Sequence, residues 1–371
     1  MSLGLLGDAL KAFASAGLSG YATSFVLSMV PFSLPLAIKA PVLACGTLGG
    51  LLWYMRVWIQ CYYFDKSFKT PKVSQNLNGK TAIVTGGTLG GLGFASAQIL
   101  AELGCNVILT VRTEDKGRAA CNRLSSSAGN LSYVICDFMS HDSILKCAAE
   151  LKTQVPDTGI NFLVLNAGIA RPANTGSVAD VWMTNHLGPW MFLQELAVSL
   201  AKSSRVVWVS SGAHKRASIS WDDPFYPSSA KGTLGGNAYG QSKLANIMHM
   251  REFQRRIRSK SPALSGGDVK CSAVTPGAVR TNILGGNVPF LLYPLVAFLL
   301  RSPHMGAQVI KMACLDPHLQ GGEYLSNCYI KESEGADQCS NDQAQWVRLW
   351  DVTSKQVETR AYDKIRNKKG V

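Results

Sequence analysis

The amino-acid sequence predicts an α/β fold: a Rossmann-like, doubly wound parallel sheet with helices on both faces, plus an N-terminal membrane-anchoring helical segment. Short apolar stretches alternate with helical ones from residue 80 onward, the first apolar stretch runs into a glycine-rich loop, and an almost uncharged segment precedes both. Strands that alternate with helices form a parallel sheet covered on two sides. We therefore expect an anchor with its linker over residues 1–73 and a dinucleotide-binding domain over residues 74–371.

The N-terminal part is apolar over a length that reaches across a bilayer. Between Tyr21 and Ile59 only Lys39 and Arg56 are charged, and three prolines interrupt the segment: Pro31, Pro35 and Pro41. A span needs about 20 apolar residues, so one helix or two short re-entrant pieces would fit. The apolar run begins too late for a cleaved signal peptide. The alternative is a hairpin that packs on the domain.

The charges beside this segment predict its orientation. The excess of Lys and Arg lies on its C-terminal side, so the positive-inside rule places the main domain in the cytoplasm. We expect the membrane to be the endoplasmic reticulum or another internal membrane. The net charge of +13 suits an anionic membrane surface, and no nucleic-acid signature is present. The ten cysteines and six histidines have no metal-ligand spacing, so we predict reduced thiols and no metal.

A strand, a glycine-rich loop and a helix follow one another after residue 80. The helix ends near Leu103, and the next strand covers Asn106–Val111. This is the context that a dinucleotide-binding fingerprint requires, because glycines let the backbone approach a pyrophosphate at the helix N-terminus. The residues that we expect to contact the cofactor here are Gly86, Gly87, Gly91, Leu92 and Gly93.

A basic residue stands where the adenosine ribose is expected. Arg112 ends the second strand, 19 residues after Gly93, at the position of a ribose-binding residue. A cation there fits a 2′-phosphate, which favours NADP(H) over NAD(H). The alternative is a solvated arginine at a strand end, and Glu114 and Asp115 follow it closely.

The later strands also end in small or polar residues. They are Ser132–Cys136, Asn161–Leu165, Arg205–Val209 and Lys270–Val274. The residues that follow them are Asp137, then Asn166, Ala167 and Gly168, then Ser210 and Ser211, and finally Thr275, Pro276 and Gly277. The carboxyl ends of parallel strands meet at one edge of the sheet, where the ligand of such a fold binds.

Tyr239 and Lys243 stand four residues apart in a predicted helix. Residues at i and i+4 share one helix face. An ammonium one turn from a phenol lowers the phenol pKa, so the pair can form a tyrosine that exchanges a proton near neutral pH. The alternative is an ordinary surface pair, because this spacing is common.

Taken together these residues resemble the short-chain dehydrogenase/reductase family over about residues 78–330. The matching positions are Thr85–Gly93, Asp137, Asn166–Gly168, Asn185, Ser211, Tyr239, Lys243, Pro276, Gly277 and Thr281. The stretches 205–214, 239–246 and 322–328 are similar to the retinol dehydrogenase and WW-domain-oxidoreductase-like branch. One departure lies in the glycine loop. Counted from Gly86, the loop has one residue too many, whereas counted from Gly87 the spacing fits.

The resemblance implies a role for each catalytic position. Tyr239 is the general acid/base, Lys243 lowers its pKa and binds the nicotinamide ribose, and Ser211 donates to the substrate oxygen. Asn185 fixes a helix kink and a water, although a purely structural role is open, and Ser210 is the alternative serine. Asp137 contacts the adenine side, while Asn166, Ala167, Gly168, Pro276, Gly277 and Thr281 line the cofactor cleft.

The apolar stretch 288–300 predicts the kind of substrate. The resemblance implies a mobile cover, and beside a membrane anchor such a cover suggests a lipophilic substrate: a retinoid, a sterol or a long-chain aldehyde or ketone. A buried core helix or the face of a homodimer is the alternative. We expect an NADP(H)-dependent oxidoreductase of CH–OH and C=O groups. A membrane-tethered nucleotide-binding or scaffold protein with weak catalysis is the second hypothesis, and a basic peripheral protein is the third.

Overall fold

The computed structural model describes residues 75–124, 129–172, 177–226, 236–259, 268–281, 300–331 and 341–368. The predicted N-terminal anchor lies outside the described residues, as does the apolar stretch 288–300 except for its last residue. Within the described ranges, no helix is both long enough and apolar enough to cross a membrane.

Eight strands form one sheet in the order β3-β2-β1-β4-β5-β6-β7-β8. The first seven are parallel, and β8 pairs antiparallel with β7 at the edge. The parallel sheet is confirmed, whereas the antiparallel edge strand was not predicted. The strands are β1 (Thr81–Thr85), β2 (Asn106–Val111), β3 (Leu131–Ile135), β4 (Ile160–Leu165), β5 (Leu200–Val209), β6 (Lys270–Thr275), β7 (Glu323–Ser326) and β8 (Tyr329–Lys331).

Helices cover both faces of the sheet, as predicted. A π-helical turn, Met183–Leu187, separates α4 from α5, and a 3₁₀ turn, Gly212–Arg216, follows β5. The α-helices are α1 (Leu92–Glu102), α2 (Glu114–Arg123), α3 (His141–Gln154), α4 (Ala179–Trp182), α5 (Gly188–Leu196), α6 (Gly236–Arg258), α7 (Pro303–Leu315), α8 (Gln343–Glu358) and α9 (Ala361–Lys368).

Alternating strand residues divide the core into two layers. Ile83 and Leu163 face α3, α5, α6 and α8, whereas Val84 and Val164 face α1 and α7 on the other side. Successive side chains of a strand point to opposite faces, so strands buried on both faces are apolar throughout. This explains why the strands read as continuous apolar stretches rather than as alternating patterns.

The strand order creates the crevice that positions the candidate site. β1 pairs with β2 on one side and with β4 on the other. The helix that follows β1 packs on one face of the sheet, while the helices that follow β4 pack on the opposite face. The loops after β1 and β4 therefore diverge, and the gap between them is where ligands of doubly wound folds bind.

Candidate active site

Helix α6 carries Tyr239 and Lys243 to the carboxyl edge of the sheet. The Lys243 side chain is buried, its Nζ donates to the carbonyl oxygen of Val209 at 2.9 Å, and Nζ lies 5.6 Å from the centroid of the Tyr239 ring. Burial lowers the pKa of Lys243 to about 8. The bond to the last residue of β5 therefore fixes the ammonium at the edge of the sheet, one helical turn from the phenol.

The pKa of Tyr239 moves in the direction opposite to the one predicted. Burial of the phenol raises it, and a hydrogen bond with the Ser211 hydroxyl lowers it by less. The prediction considered only the nearby ammonium, whereas the cost of removing a phenolate from water dominates. The phenol is therefore protonated at neutral pH.

The structure distinguishes the two serines that follow β5. Ser210 is buried, and its hydroxyl donates to the carbonyl oxygen of Lys243 at 2.8 Å, which ties β5 to α6. Ser211 is half-buried, and its hydroxyl is close enough to the phenol to lower the pKa of Tyr239. The geometry therefore brings Ser211, and not Ser210, to the phenol.

Asn185 lies in the middle of the π-helical turn and is 1% exposed. Its Oδ1 accepts from the N–H of Ile169 at 2.7 Å, while its Nδ2 donates to the carbonyl oxygen of Ile169 at 2.9 Å and to Ser242 Oγ at 3.0 Å. π-Helical turns are rare and occur mostly at functional sites. Asn185 thus joins the loop after β4 to α6, and Ser242 is a contributor that sequence reasoning missed.

Gly168 packs closely against Asn185 and Lys243. A Cβ atom built at this glycine would lie 3.0 Å from Asn185 Oδ1 and 3.3 Å from Lys243 Nζ. A larger side chain would therefore displace one of these polar groups. The absence of a side chain therefore lets the loop after β4 lie close to both polar groups.

The hydroxyl of Thr85, the last residue of β1, links the glycine loop to the loop after β4. Thr85 Oγ1 accepts from the N–H groups of Asn166 and Ala167, both at 2.9 Å. Asn166 Nδ2 in turn donates to the carbonyl oxygen of Thr85 at 2.8 Å. Asn166 and Ala167 are thus joined to the end of β1, next to Gly86, whose φ is +72°.

The additional residue of the glycine loop is absorbed by a tight turn. The N–H of Gly91 donates to the carbonyl oxygen of Thr88 at 3.0 Å, and Gly90, at φ +77°, occupies the third position of that turn. Glycine is favoured there because its φ is positive. Thr85 ends β1 and Gly91 is the N-cap of α1, so the loop between them begins with Gly86. Gly90 was absent from the predicted cofactor contacts.

The remaining glycines of the loop allow close packing. A Cβ at Gly87 would lie 2.5 Å from the Leu109 side chain, and one at Gly93 would lie 2.5 Å from the carbonyl oxygen of Gly86. Leu92 is the first residue of α1, which has no side-chain cap. The first amides of this helix therefore remain available to an anion.

The other predicted cofactor residues lie at neighbouring strand ends. Arg112 is exposed at the end of β2. Asp137, which follows β3, accepts from the N–H of Met139 at 3.0 Å in a short turn. Gly277 follows β6 with a φ of +86°, and Thr281 is half-buried beyond it. None of these residues has a hydrogen bond to the Tyr239 cluster among the contacts described.

Arg301 supports the turn after β6 and was missed by sequence reasoning. Its Nη1 donates to the carbonyl oxygen of Pro276 at 3.3 Å and to Asn327 Oδ1 at 2.6 Å. The guanidinium thus joins the Pro276–Gly277 turn to the loop after β7.

The π-helical turn is also tied to the C-terminal helix α8. His186 Nε2 lies 3.2 Å from Thr353 Oγ1, and Trp182 Nε1 donates to Gln356 Oε1 at 3.0 Å. The His186 ring also contacts His249 of α6, with centroids 4.4 Å apart. The segment that carries Asn185 therefore has partners in α8, far along the chain.

Comparison with known proteins identifies the family. The family described as short chain dehydrogenase matches residues 80–289. "Dehydrogenase/reductase SDR family member 13" of Bos taurus is 32% identical over 295 residues, covering 76% of this chain and 74% of that protein. "Retinol dehydrogenase 14" of Homo sapiens is 30% identical over 361 residues, covering 87% and 99% respectively.

A solved structure agrees in fold. The angucycline C-6 ketoreductase LanV with bound NADP superposes with a TM-score of 0.54 at 20% identity, covering 68% of this chain and 95% of that one. The seven parallel strands and the helices on both faces agree with this likeness. The chain belongs to the short-chain dehydrogenase/reductase family, in its retinol dehydrogenase-like branch.

Proposed function

We propose that this chain is a membrane-anchored, NADP(H)-dependent oxidoreductase that interconverts a lipophilic carbonyl compound and its alcohol. Family membership supports an oxidoreductase of CH–OH and C=O groups. The observation that carries the proposal is the proximity of the Ser211 hydroxyl and buried Lys243 to the Tyr239 phenol at the carboxyl edge of the sheet, with Lys243 Nζ 5.6 Å from the Tyr239 ring. These are the groups that a proton transfer to a carbonyl oxygen requires.

The residues around the glycine loop fit a nicotinamide dinucleotide. Gly87 and Gly93 let the loop pack closely, because an added Cβ would collide with Leu109 or Gly86, and α1 begins without a side-chain cap. Its first amides would hold the pyrophosphate. Exposed Arg112 would hold a 2′-phosphate, which supports NADP(H), and Asp137 would lie on the adenine side. When bound, the nicotinamide supplies or accepts the hydride.

The protein groups then move and stabilise the proton. The raised pKa of Tyr239 keeps the phenol protonated at neutral pH, ready to donate to a substrate carbonyl oxygen. Ser211 holds that oxygen by a second hydrogen bond, where negative charge develops. Lys243, with a pKa of about 8, is still mostly protonated at neutral pH and stabilises the phenolate that remains. Oxidation of the alcohol uses the same groups in reverse.

A lipophilic substrate is proposed from two supports. The relative that aligns over 361 residues is named a retinol dehydrogenase, and retinol is an apolar alcohol. The sequence adds an almost uncharged N-terminal segment and the apolar stretch 288–300. We propose that residues 1–73 anchor the domain to the endoplasmic reticulum or another internal membrane, with the domain facing the cytoplasm.

The decisive experiment is a panel of retinal, keto-steroids and long-chain aldehydes with the purified full chain, followed by NADPH consumption. We expect turnover with at least one of them, and a preference for NADPH over NADH that Arg112→Ala reduces. Tyr239→Phe should lower kcat by about 10²–10⁴-fold while NADPH binding is retained, because only the proton donor is lost. Normal turnover in Tyr239→Phe would exclude the mechanism. Binding of NADPH without turnover of any compound would favour the scaffold hypothesis.

The anchor is tested separately. Deletion of residues 1–60 should move the protein from the membrane fraction to the supernatant, because the apolar segment is removed. The fraction of the shortened chain found in the supernatant is compared with that of the full chain under the same lysis conditions. Undiminished membrane association of the shortened chain would contradict the proposal.

A further inference from the structure

A buried histidine lies directly behind the candidate substrate-binding serine. His214 belongs to the 3₁₀ turn Gly212–Arg216 and is 0% exposed. Its Nδ1 lies 2.6 Å from the carbonyl oxygen of Ser211, and its backbone N–H donates to the same oxygen at 3.1 Å. A carbonyl oxygen only accepts hydrogen bonds, so Nδ1 is the protonated nitrogen in this contact.

The turn that carries His214 is fixed from two sides. On one side it packs against Gly240, the residue after Tyr239: a Cβ built at Gly240 would lie 2.9 Å from both the carbonyl oxygen of Ala213 and the Cβ of Ala217. On the other side the His214 ring meets the ring of Tyr324 edge-on, with centroids 5.1 Å apart. A displacement of the turn would therefore move it relative to the helix that carries the phenol.

The contact with Tyr324 extends to the cofactor side of the cleft. The Tyr324 hydroxyl donates to Thr275 Oγ1 at 2.8 Å, and Thr275 immediately precedes Pro276 and Gly277. Tyr324 is buried in the core of the sheet. A continuous series of contacts thus runs from the Ser211 carbonyl, through two buried rings, to the turn after β6.

We propose that His214 is a positioning residue that fixes Ser211 against Tyr239 and aligns both with the Pro276–Gly277 turn. This inference rests on the proposed function, because it assigns Ser211 to the substrate oxygen. His214 is not itself an acid or base of the reaction, since its side chain is enclosed and its Nδ1 is occupied by the Ser211 carbonyl.

The test compares two substitutions in the full chain. His214→Phe keeps a ring against Tyr324 but loses the donor, whereas His214→Asn keeps a donor at a similar reach. Loss of one hydrogen bond corresponds to about a tenfold change in a rate or equilibrium constant. We expect His214→Phe to lower kcat about tenfold with an unchanged Kd for NADPH, and His214→Asn to recover most of it. Exposed His318→Phe is the matched control and should not change kcat.

A second readout separates this inference from the proposed function. Titration of ¹³C-labelled tyrosine by NMR, with Tyr239 assigned by Tyr239→Phe, reports whether Ser211 still bonds the phenol. His214→Phe should raise the Tyr239 pKa and His214→Asn should not, even if no substrate is turned over. An unchanged titration in His214→Phe overturns the inference. Equal losses of kcat, NADPH binding and thermal stability in both variants would also overturn it, because they indicate a purely structural role.

Discussion

Two regions of the crevice are built in opposite ways. The cofactor corner is the glycine loop with the start of α1, residues 86–93, and the catalytic corner contains Asn185, Ser211, Tyr239 and Lys243. At the cofactor corner, the loop between β1 and α1 consists largely of glycines, and an added carbon atom would collide with Leu109 at Gly87 and with the Gly86 backbone at Gly93 in α1. At the catalytic corner, polar side chains are buried and bonded to backbone: Asn185 to Ile169, Ser210 to Lys243, and Lys243 to Val209. One corner depends on missing side chains, and the other on side chains with satisfied hydrogen bonds.

Because of this difference, substitutions in the two corners should impair the protein for different physical reasons. Close packing of backbone tolerates no added volume, so substitutions at the cofactor corner act through steric overlap. A buried polar group that loses its partner costs free energy even when its shape is kept. Substitutions at the catalytic corner should therefore act through unsatisfied hydrogen bonds, and the two classes separate cofactor binding from turnover.

The largest effect is expected from Gly93→Ala. The new Cβ would lie 2.5 Å from the carbonyl oxygen of Gly86 and from Asn166 Nδ2, so the loop must shift. We expect the Kd for NADPH to rise by about 100-fold, from an overpacking cost of up to about 3 kcal/mol. Gly212→Ala is the matched control, because a Cβ built at Gly212 would have no atom within 4 Å. Fluorescence titration measures the Kd for NADPH of both variants. Equal Kd values would show that steric overlap does not control the cofactor corner.

A smaller and different effect is expected from Asn185→Asp. The shape is kept, but the two donations from Nδ2, to Ile169 O and Ser242 Oγ, are lost. We expect kcat to fall about tenfold, with the Kd for NADPH within about twofold of the original value. Steady-state kinetics give kcat and binding titrations give the Kd for NADPH. Surface Asn130→Asp is the control. A parallel rise in Kd would show that the corners are not separable.

The smallest effect is expected in the pH dependence of the free energy of unfolding. It involves two histidines beside the catalytic corner, His186 and His249. Burial lowers the pKa of His186 to about 3, and burial with the neighbouring His186 lowers that of His249 well below its usual range. In the unfolded chain each of these histidines binds a proton below about pH 6.5, whereas in the folded chain both stay neutral. Above that pH neither state binds the proton, so these histidines do not lower the free energy of unfolding. The free energy of unfolding falls as the pH drops below about 6.5, by up to about 1.4 kcal/mol per pH unit for each histidine that stays neutral in the folded chain.

Urea unfolding at about pH 7 and about pH 5.5 measures this loss. His249→Phe should reduce the difference between the two free energies of unfolding by about 1.4 kcal/mol, since one buried imidazole is removed. His318→Phe, at an exposed position, should leave the difference unchanged. The same pH dependence in His249→Phe and in the original chain would contradict the assignment.

The positions of the strands and of the site residues were largely predictable, because strand ends carry a strong local signal. Asp137, Asn166 and Ser211 each follow an apolar stretch, and parallel strands bring such residues to one edge. The pKa of Tyr239 was not predictable, since it depends on burial by residues distant in sequence. The roles of Arg301 and Ser242 depend likewise on contacts that no local pattern specifies.

The glycine loop illustrates a feature that local spacing leaves open. The spacing of Gly87, Gly91 and Gly93 fitted a familiar pattern, although the chain has one more residue between Gly86 and Gly91. The turn from Thr88 to Gly91 absorbs this residue because Gly90 adopts a positive φ. Spacing alone cannot tell which glycine carries the turn, since glycine is favourable in both places.

The bonds between the π-helical turn and α8 have a consequence for synthesis of the chain. His186 and Trp182 have partners at Thr353 and Gln356, close to the C-terminus. The hydrogen bonds of Thr85 with Asn166 and Ala167 involve only β1 and the end of β4, up to about residue 168. During translation these bonds can therefore form long before those of the π-helical turn, whereas α1 is covered only when α7 has been made. The segment that carries Asn185 acquires its last partners only when α8 has left the ribosome.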